Sequence, residues 1–184
     1  NTDVFKGVGP MLGLFTPNYY IHRFNALRPA YLKEHGIELL VCDIDNTLVA
    51  HDIAVPDQDV LDFLTAIKEA GIQIVFISNN VEERVATFAK GLDIPYYPFA
   101  LKPLPKTYWK MLKDYKINKK HVAVLGDQLM TDILGANFVG LHTILTAPVV
   151  ERDLACTKIN RKFENMVFKL LKKTKRLTKG VYHE

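Results

Sequence analysis

Two carboxylates one residue apart, Asp43 and Asp45, close the apolar run Leu39-Leu40-Val41-Cys42, which has the length and composition of a buried strand. In extended backbone, residues i and i+2 point to the same side. The two acids can therefore address one ligand while Ile44 turns into the packing. Adjacent negative charges repel unless a cation or a shared proton compensates, and an all-oxygen site of this kind suits Mg²⁺. A carboxylate can also attack phosphorus and form an aspartyl-phosphate, which divides phosphate transfer into two easier steps. Asp43 fits that nucleophile. Asp45 fits an acid toward the leaving oxygen and a base toward the incoming water. Further along the chain, Ser78 and the backbone N–H groups near Asn79 and Asn80 can hold phosphoryl oxygens at a helix start. Lys102 offers a fixed positive charge for the transferring group, and Asp127 completes a Mg²⁺ site with Asp43. Asp132, five residues on, is placed to back a metal water or Lys102.

These residues must be positioned by elements that alternate at short intervals from Ile37 onward. The pattern predicts strands from Glu38 to Asp43, Gln73 to Ile77, Tyr96 to Phe99, His121 to Leu125 and His142 to Thr146. Helices fit between them. One begins at Pro56 and Asp57, carries Val60, Phe63, Leu64 and Ile67, and ends at Gly71. A second starts with Asn80 as N-cap and Glu83 three residues later, stopping near Gly91. The third starts around Pro105, with Tyr108, Trp109 and Leu112 read as core or arm contacts. The fourth follows Gln128 and ends near Gly135. Strand, helix, strand in this order means a parallel sheet covered by helices, an α/β fold. Ligands bind such sheets at the carboxyl ends of the strands, where four loops deliver all of the residues named above.

The flanks differ in character. Residues 1–36 read as an irregular N-terminal arm with a short helix from Pro29 to His35, and residues 37–150 as the core. For Phe15, Tyr19, Tyr20, Ile21 and Phe24, packing on the domain is favoured over a membrane interface. Residues 151–184 form a basic tail. Its span 158–180 holds nine Lys or Arg against the single acid Glu164, so the chain's net charge of +4 is the property of one segment. Ile159, Phe163, Val167, Leu170 and Leu171 share a helical face there, with Met166 beside them. Such a helix either packs on the sheet or lies on anionic lipid.

With 184 residues and 48% hydrophobic content, the chain fits one globular domain. Nothing at its start resembles a charged-apolar-small signal peptide, and opening on Asn1 rather than Met leaves room for preceding sequence. The two cysteines, Cys42 and Cys156, point to a reducing compartment. We therefore expect a cytoplasmic protein, peripheral on the membrane if the tail binds lipid, and no nucleic-acid partner. His51 and Asp52 read as surface decoration, since a lone loop histidine shows no ligand spacing.

The words Asp43-Ile44-Asp45-Asn46-Thr47, Ser78, Lys102-Pro103 and Gly126-Asp127-Gln128-Leu129-Met130-Thr131-Asp132 resemble, in order and spacing, the four motifs of the haloacid dehalogenase superfamily of phosphohydrolases. The stretches Ile77-Ser78-Asn79-Asn80-Val81-Glu82-Glu83-Arg84-Val85 and Thr157-Lys158-Ile159-Asn160-Arg161-Lys162 are similar to the YqeG-type subgroup of its subclass III. That subgroup resembles the phosphatidylglycerophosphate phosphatases. The resemblance implies a Rossmann-like three-layer sandwich and a Mg²⁺-dependent phosphomonoesterase. It also implies the Asp45 backbone carbonyl as a metal ligand beside Asp43 and Asp127, Ser78, Asn79 and Lys102 as phosphate binders, and Thr47 and Asp132 behind them. Roofing domains in that superfamily enter between the first and third motifs. Here only 33 residues separate Asp45 from Ser78, and 24 separate Ser78 from Lys102. No large cap is expected, and an open site suits a bulky or membrane-borne phosphate ester, anionic phospholipid included. The alternatives are a soluble sugar or nucleotide phosphate, a phosphoprotein, or a receiver-like signalling domain. The last would carry its acceptor acid on a later strand, and none follows Ile77.

Overall fold

The computed structural model describes the backbone of residues 8–150 and 157–183, with side chains from residue 11 and again from residue 163. Cys156 and the side chains of Lys158, Ile159, Arg161 and Lys162 lie outside the described residues. Six parallel strands form one sheet: β1 (Tyr19–Ile21), β2 (Leu39–Cys42), β3 (Gln73–Ile77), β4 (Tyr96–Tyr97), β5 (Val122–Gly126) and β6 (His142–Thr146), in the order β1-β6-β5-β2-β3-β4. Strand β2 is central and buried at every position. A strand covered on both faces reads as an unbroken apolar run, which is why Leu39 to Cys42 was legible. The chain moves from β2 outward through β3 and β4, then returns to β5 on the other side of β2. The gap between β2 and β5 is the switch point where such sheets bind ligands.

Alternation along the strands divides the core. Leu40, Cys42, Ile74 and Phe76 face helices α2 (Pro29–Glu34), α3 (Gln58–Glu69) and α4 (Glu82–Ala89). Leu39, Val41, Val75 and Ile77 face α5 (Lys106–Tyr115) and α6 (Leu134–Val139). On that second face, α7 (Thr157–Lys173) covers the β6–β1 end through Val167, Phe168 and Leu171, which meet Leu12, Tyr20, Leu129 and Leu145. A short helix α1 (Val8–Gly13) lies on the same side. The result is helix, sheet, helix, with no large cap among the described residues. None of the described helices is long and apolar enough to cross a membrane.

Several expectations need correction. The segment before Ile37 is less irregular than its prolines suggest. Tyr19–Ile21 adds an edge strand beside β6, and Ile21, Phe24, Leu27 and Leu32 are fully buried in the main core. Three residues are too few to show a period, so only the tertiary pairing reveals this strand. Strand β4 ends at Tyr97 instead of Phe99, because Phe99 turns into left-handed backbone at φ 48°. The fourth helix runs past Gly135 to Gly140. Gly135 is helical and required for closeness, since a Cβ there would sit 2.9 Å from the Pro103 carbonyl oxygen. Trp109 is 55% exposed, because the inward face of α5 is set by Tyr108 and Met111. In α7 the buried stripe is rotated from the expected one: Phe163 and Met166 are exposed and Phe168 is buried.

Candidate active site

Strand ends supply the site, and each local turn has a sequence reason. After β2 the backbone stays buried through Thr47, with Asn46 in left-handed conformation at φ 66°, a region asparagine tolerates. That turn brings Asp43 and Asp45 to one side of a cavity of about 260 Å³ lined also by His51, Ser78, Asn80, Lys102 and Thr131. A larger cavity of about 660 Å³ lies at the opposite, amino end of the strands around Gln73 and Asp114. It has none of this chemistry.

Lys102 is the pivot. Its Nζ donates to Asp43 Oδ1 and to Asp132 Oδ1, both at 2.6 Å, with all three side chains buried. Asp132 is 1% exposed, and its second oxygen accepts from the Gln128 backbone N–H at 3.1 Å. Glycine at 126 is what lets this happen: a Cβ there would lie 2.3 Å from Asp132 Cγ. The Asn79 side chain clamps the Lys102 backbone, accepting from its N–H at 2.6 Å and donating to its carbonyl at 3.1 Å. Asn79 therefore sets the height of Lys102 through its amide, which leaves its backbone N–H as the group available to an anion. Ser78 Oγ accepts from the Asn80 N–H at 3.1 Å, so its hydroxyl proton can point into the cavity.

Asp45 is held apart from this cluster. Arg84 Nη2 donates to Asp45 Oδ1 at 2.9 Å, and Asn80 Nδ2 donates to Oδ2 at 3.1 Å. Asn80 is thus not the helix cap predicted for α4. Val81 takes that position, while Asn80 Oδ1 accepts from the Val81 N–H at 2.8 Å. His51 also belongs to the cavity instead of the open surface, with Nδ1 3.9 Å from Asp45 Oδ1. Arg84, Asn80 and His51 were missed for one reason: none has a spacing that points to Asp45 until α4 and the 51–56 loop are folded against it.

Thr47 Oγ1 lies 3.3 Å from Asp43 Oδ2 and 3.1 Å from Asp127 Oδ1, so its hydroxyl links the two strand ends. Asp43, Asp127 and Asp132 each bring one carboxylate oxygen within 4.8 Å of the others. Burial pushes Asp43 up to about 7 against the opposing pull of Lys102, and burial also pushes Asp127 well above the usual carboxylate range. Burial pushes Lys102 down, yet Asp132 and Asp43 outweigh it, so the ammonium is retained. Three clustered acids, Asp43 and Asp132 buried and Asp127 half-buried, leave an excess of negative charge over the one ammonium of Lys102. That excess, carried by hard oxygen donors, fits a divalent cation such as Mg²⁺ between Asp43 and Asp127. Asp132, already spent on Lys102 and the Gln128 N–H, is a support for the cluster.

One contact comes from far along the chain. Glu164 on α7 accepts from the Leu129 backbone N–H at 2.7 Å, fixing the start of the π-helical turn Leu129–Ile133 that follows Asp127. Sequence reading gave Glu164 only as the lone acid of a basic tail. Cys42, by contrast, is buried and its thiol pushed up by burial, consistent with a packing role.

Comparison with known proteins agrees with this geometry. Residues 11–140 match the family model of the haloacid dehalogenase-like hydrolases. Over 159 residues the chain is 35% identical to a Bacillus subtilis (strain 168) protein described as probable phosphatase YqeG, covering 86% of this chain and 92% of that one. Two solved structures share the fold. The cobalt-bound deoxy-D-mannose-octulosonate 8-phosphate phosphatase (YrbI) from Haemophilus influenzae gives a TM-score of 0.51 at 16% identity, over 77% of this chain and 93% of its own. A protein from Listeria monocytogenes serotype 4b gives 0.52 at 18% identity, over 64% and 85%. With the family model spanning most of the chain and the acids standing at the switch point of the sheet, the chain belongs to the haloacid dehalogenase-like hydrolases, and within them to the YqeG-type phosphatases.

Proposed function

We propose that the protein is a Mg²⁺-dependent phosphomonoester hydrolase that works through an aspartyl-phosphate on Asp43, and that its substrate is bulky or membrane-borne, as phosphatidylglycerophosphate is. The observation that carries the chemistry is Lys102 Nζ at 2.6 Å from both Asp43 and Asp132. It opposes the burial that raises Asp43 and holds one of its oxygens in place, beside the hydroxyl of Ser78 and the backbone of Asn79. A carboxylate so held attacks phosphorus, the bond to the leaving oxygen breaks, and that oxygen takes its proton from Asp45. Water then attacks the phosphorus, gives its proton to Asp45, and the bond to Asp43 breaks. Arg84 and Asn80 hold the Asp45 carboxylate in place for this second half. The first half needs Asp45 to leave Arg84 for the leaving oxygen. A Mg²⁺ held by Asp43, Asp127 and the Asp45 backbone carbonyl would supply positive charge to the phosphoryl oxygens.

The cavity itself supports the substrate class. At about 260 Å³ it is smaller than the roughly 300–1,000 Å³ typical of small-molecule pockets. It accepts the phosphoryl end and leaves the rest of the ester on the rim, with no large cap among the described residues to enclose it. The test is phosphate release from phosphatidylglycerophosphate in anionic vesicles against soluble sugar and nucleotide phosphates. Preferred turnover of the lipid supports the substrate; preferred turnover of a soluble ester removes it. On a generic aryl phosphate, Asp43→Asn should abolish release, and so should full chelation by EDTA. Turnover surviving the first removes the nucleophile, and turnover surviving the second removes the metal.

A further inference from the structure

Among the described residues, half of the exposed large hydrophobics sit on loops around the cavity mouth: Ile53, Val55, Val81, Phe99, Leu101 and Leu104. Hydrogen bonds tie these loops together. Arg84 donates to the Ala54 carbonyl at 3.1 Å, the Phe99 N–H to the Asn80 carbonyl at 2.9 Å, and the Leu104 N–H to the Leu101 carbonyl at 2.9 Å. Single exposed hydrophobics need no explanation, but a cluster rimming a site marks an interaction surface. On the Lys102 bank, Ala100 and Lys102 point inward, so Phe99 and Leu101 are forced outward. Both are held in left-handed backbone, at φ 48° and 55°. Bulky residues occupy that region at a cost that is usually met at functional sites.

Helix α5 continues this bank. Lys106, Trp109, Lys110 and Lys113 lie at helical spacing on its exposed face, while Tyr108 and Met111 face the core. An indole among lysines suits a boundary where an apolar layer meets anionic headgroups. The opposite bank bears exposed Asp52, Glu82 and Glu83, whereas on α5 the one acid is Asp114 at its far end, 3.8 Å from Lys110, so the charge complementarity is one-sided.

We propose that the bank formed by Phe99, Leu101, Leu104 and the Trp109 face of α5 docks on an anionic phospholipid surface. The loop tips enter the apolar boundary, Lys106 and Lys110 meet the headgroups, and the cavity mouth is presented to the membrane. This rests on the reading of the substrate as membrane-borne, and it assigns docking to α5 instead of the basic tail.

Trp109 is the only tryptophan in the chain, so its fluorescence reports this face alone. Equimolar phosphatidylglycerol–phosphatidylcholine vesicles should move its emission to shorter wavelength, bromine-labelled acyl chains should quench it, and pure phosphatidylcholine should do neither. Leu104→Asp should weaken vesicle binding by about tenfold or more with aryl phosphatase activity unchanged. Lys106→Gln with Lys110→Gln, on solvent-facing positions, should weaken it in the same direction. Cosedimentation with a water-like Trp109 spectrum would overturn the proposal in favour of another surface. A spectral shift that follows protein concentration without lipid would overturn it in favour of self-association. Hydrolysis of detergent-dispersed phosphatidylglycerophosphate separates the two readings. Turnover there with no Trp109 response on vesicles removes the docking face alone, whereas a Trp109 response without lipid turnover upholds the face and removes the substrate.

Discussion

Each acid at the site has its own set of neighbours, with Lys102 shared between Asp43 and Asp132. Asp43 faces Lys102, Asp45 faces Arg84 and Asn80, Asp127 faces Thr47, and Asp132 is tied to Lys102 and the Gln128 N–H. The glycine before Asp127 is as consequential as any of them. Gly126→Ala places a methyl where Asp132 Cγ now lies, so Asp132 must release Lys102 and Asp43 loses its fixed orientation. Displacement of about 1 Å in such a site costs about 100-fold. We expect that loss in kcat on an aryl phosphate, with a far-ultraviolet circular dichroism spectrum like that of the wild type. A separate pH effect arises at the other end of the sheet. Burial, with His35 nearby, lowers His142 to about 4 from 6.5. The unfolded chain therefore takes up a proton that the native chain refuses, and stability present above pH 6.5 is lost as pH falls toward 4. The stability at stake is modest because the ring is partly exposed to solvent. His142→Gln should flatten the fall in thermal midpoint over that window, and a midpoint whose pH dependence is unchanged would remove His142 as its source.

Among the elements, α7 and the segment before β2 act differently from what their composition suggests. Helix α7 packs through Val167, Phe168 and Leu171 and reaches the site through Glu164. Glu164→Ala removes the acceptor for the Leu129 N–H. Supports of this kind typically change metal affinity by about tenfold or more. The Mg²⁺ concentration for half-maximal activity should rise by about that factor, with kcat at saturating Mg²⁺ kept, and Glu164→Gln should restore most of the difference. A loss of kcat without change in Mg²⁺ dependence would contradict this role. The early segment carries Phe24, fully buried with its ring edge-on to Phe63 at 5.3 Å. Phe24→Ala should cost about 3–5 kcal/mol in urea unfolding, the penalty of a core position. A cost below about 1 kcal/mol would return this segment to a peripheral arm.

At the scale of the molecule, an open sheet edge carries a small phosphate-sized cavity, an apolar rim and a lysine-bearing helix on one bank. The sequence alone determined the phosphatase family and the class of fold. Asp43-x-Asp45, Ser78, Lys102 and Asp127 each follow an apolar run, and such runs become parallel strands whose carboxyl ends meet at one edge. Local period and local order suffice for that inference. The edge strand Tyr19–Ile21, the Arg84 and Asn80 contacts to Asp45, the reach of Glu164 to Leu129 and the outward turn of Trp109 had no such signal. They depend on which residues face each other across 35 or more positions of chain, or on which side of α5 meets the sheet. Packing chooses among faces that the sequence leaves equivalent. The tertiary structure therefore decided which partners each acid has and which surface surrounds them.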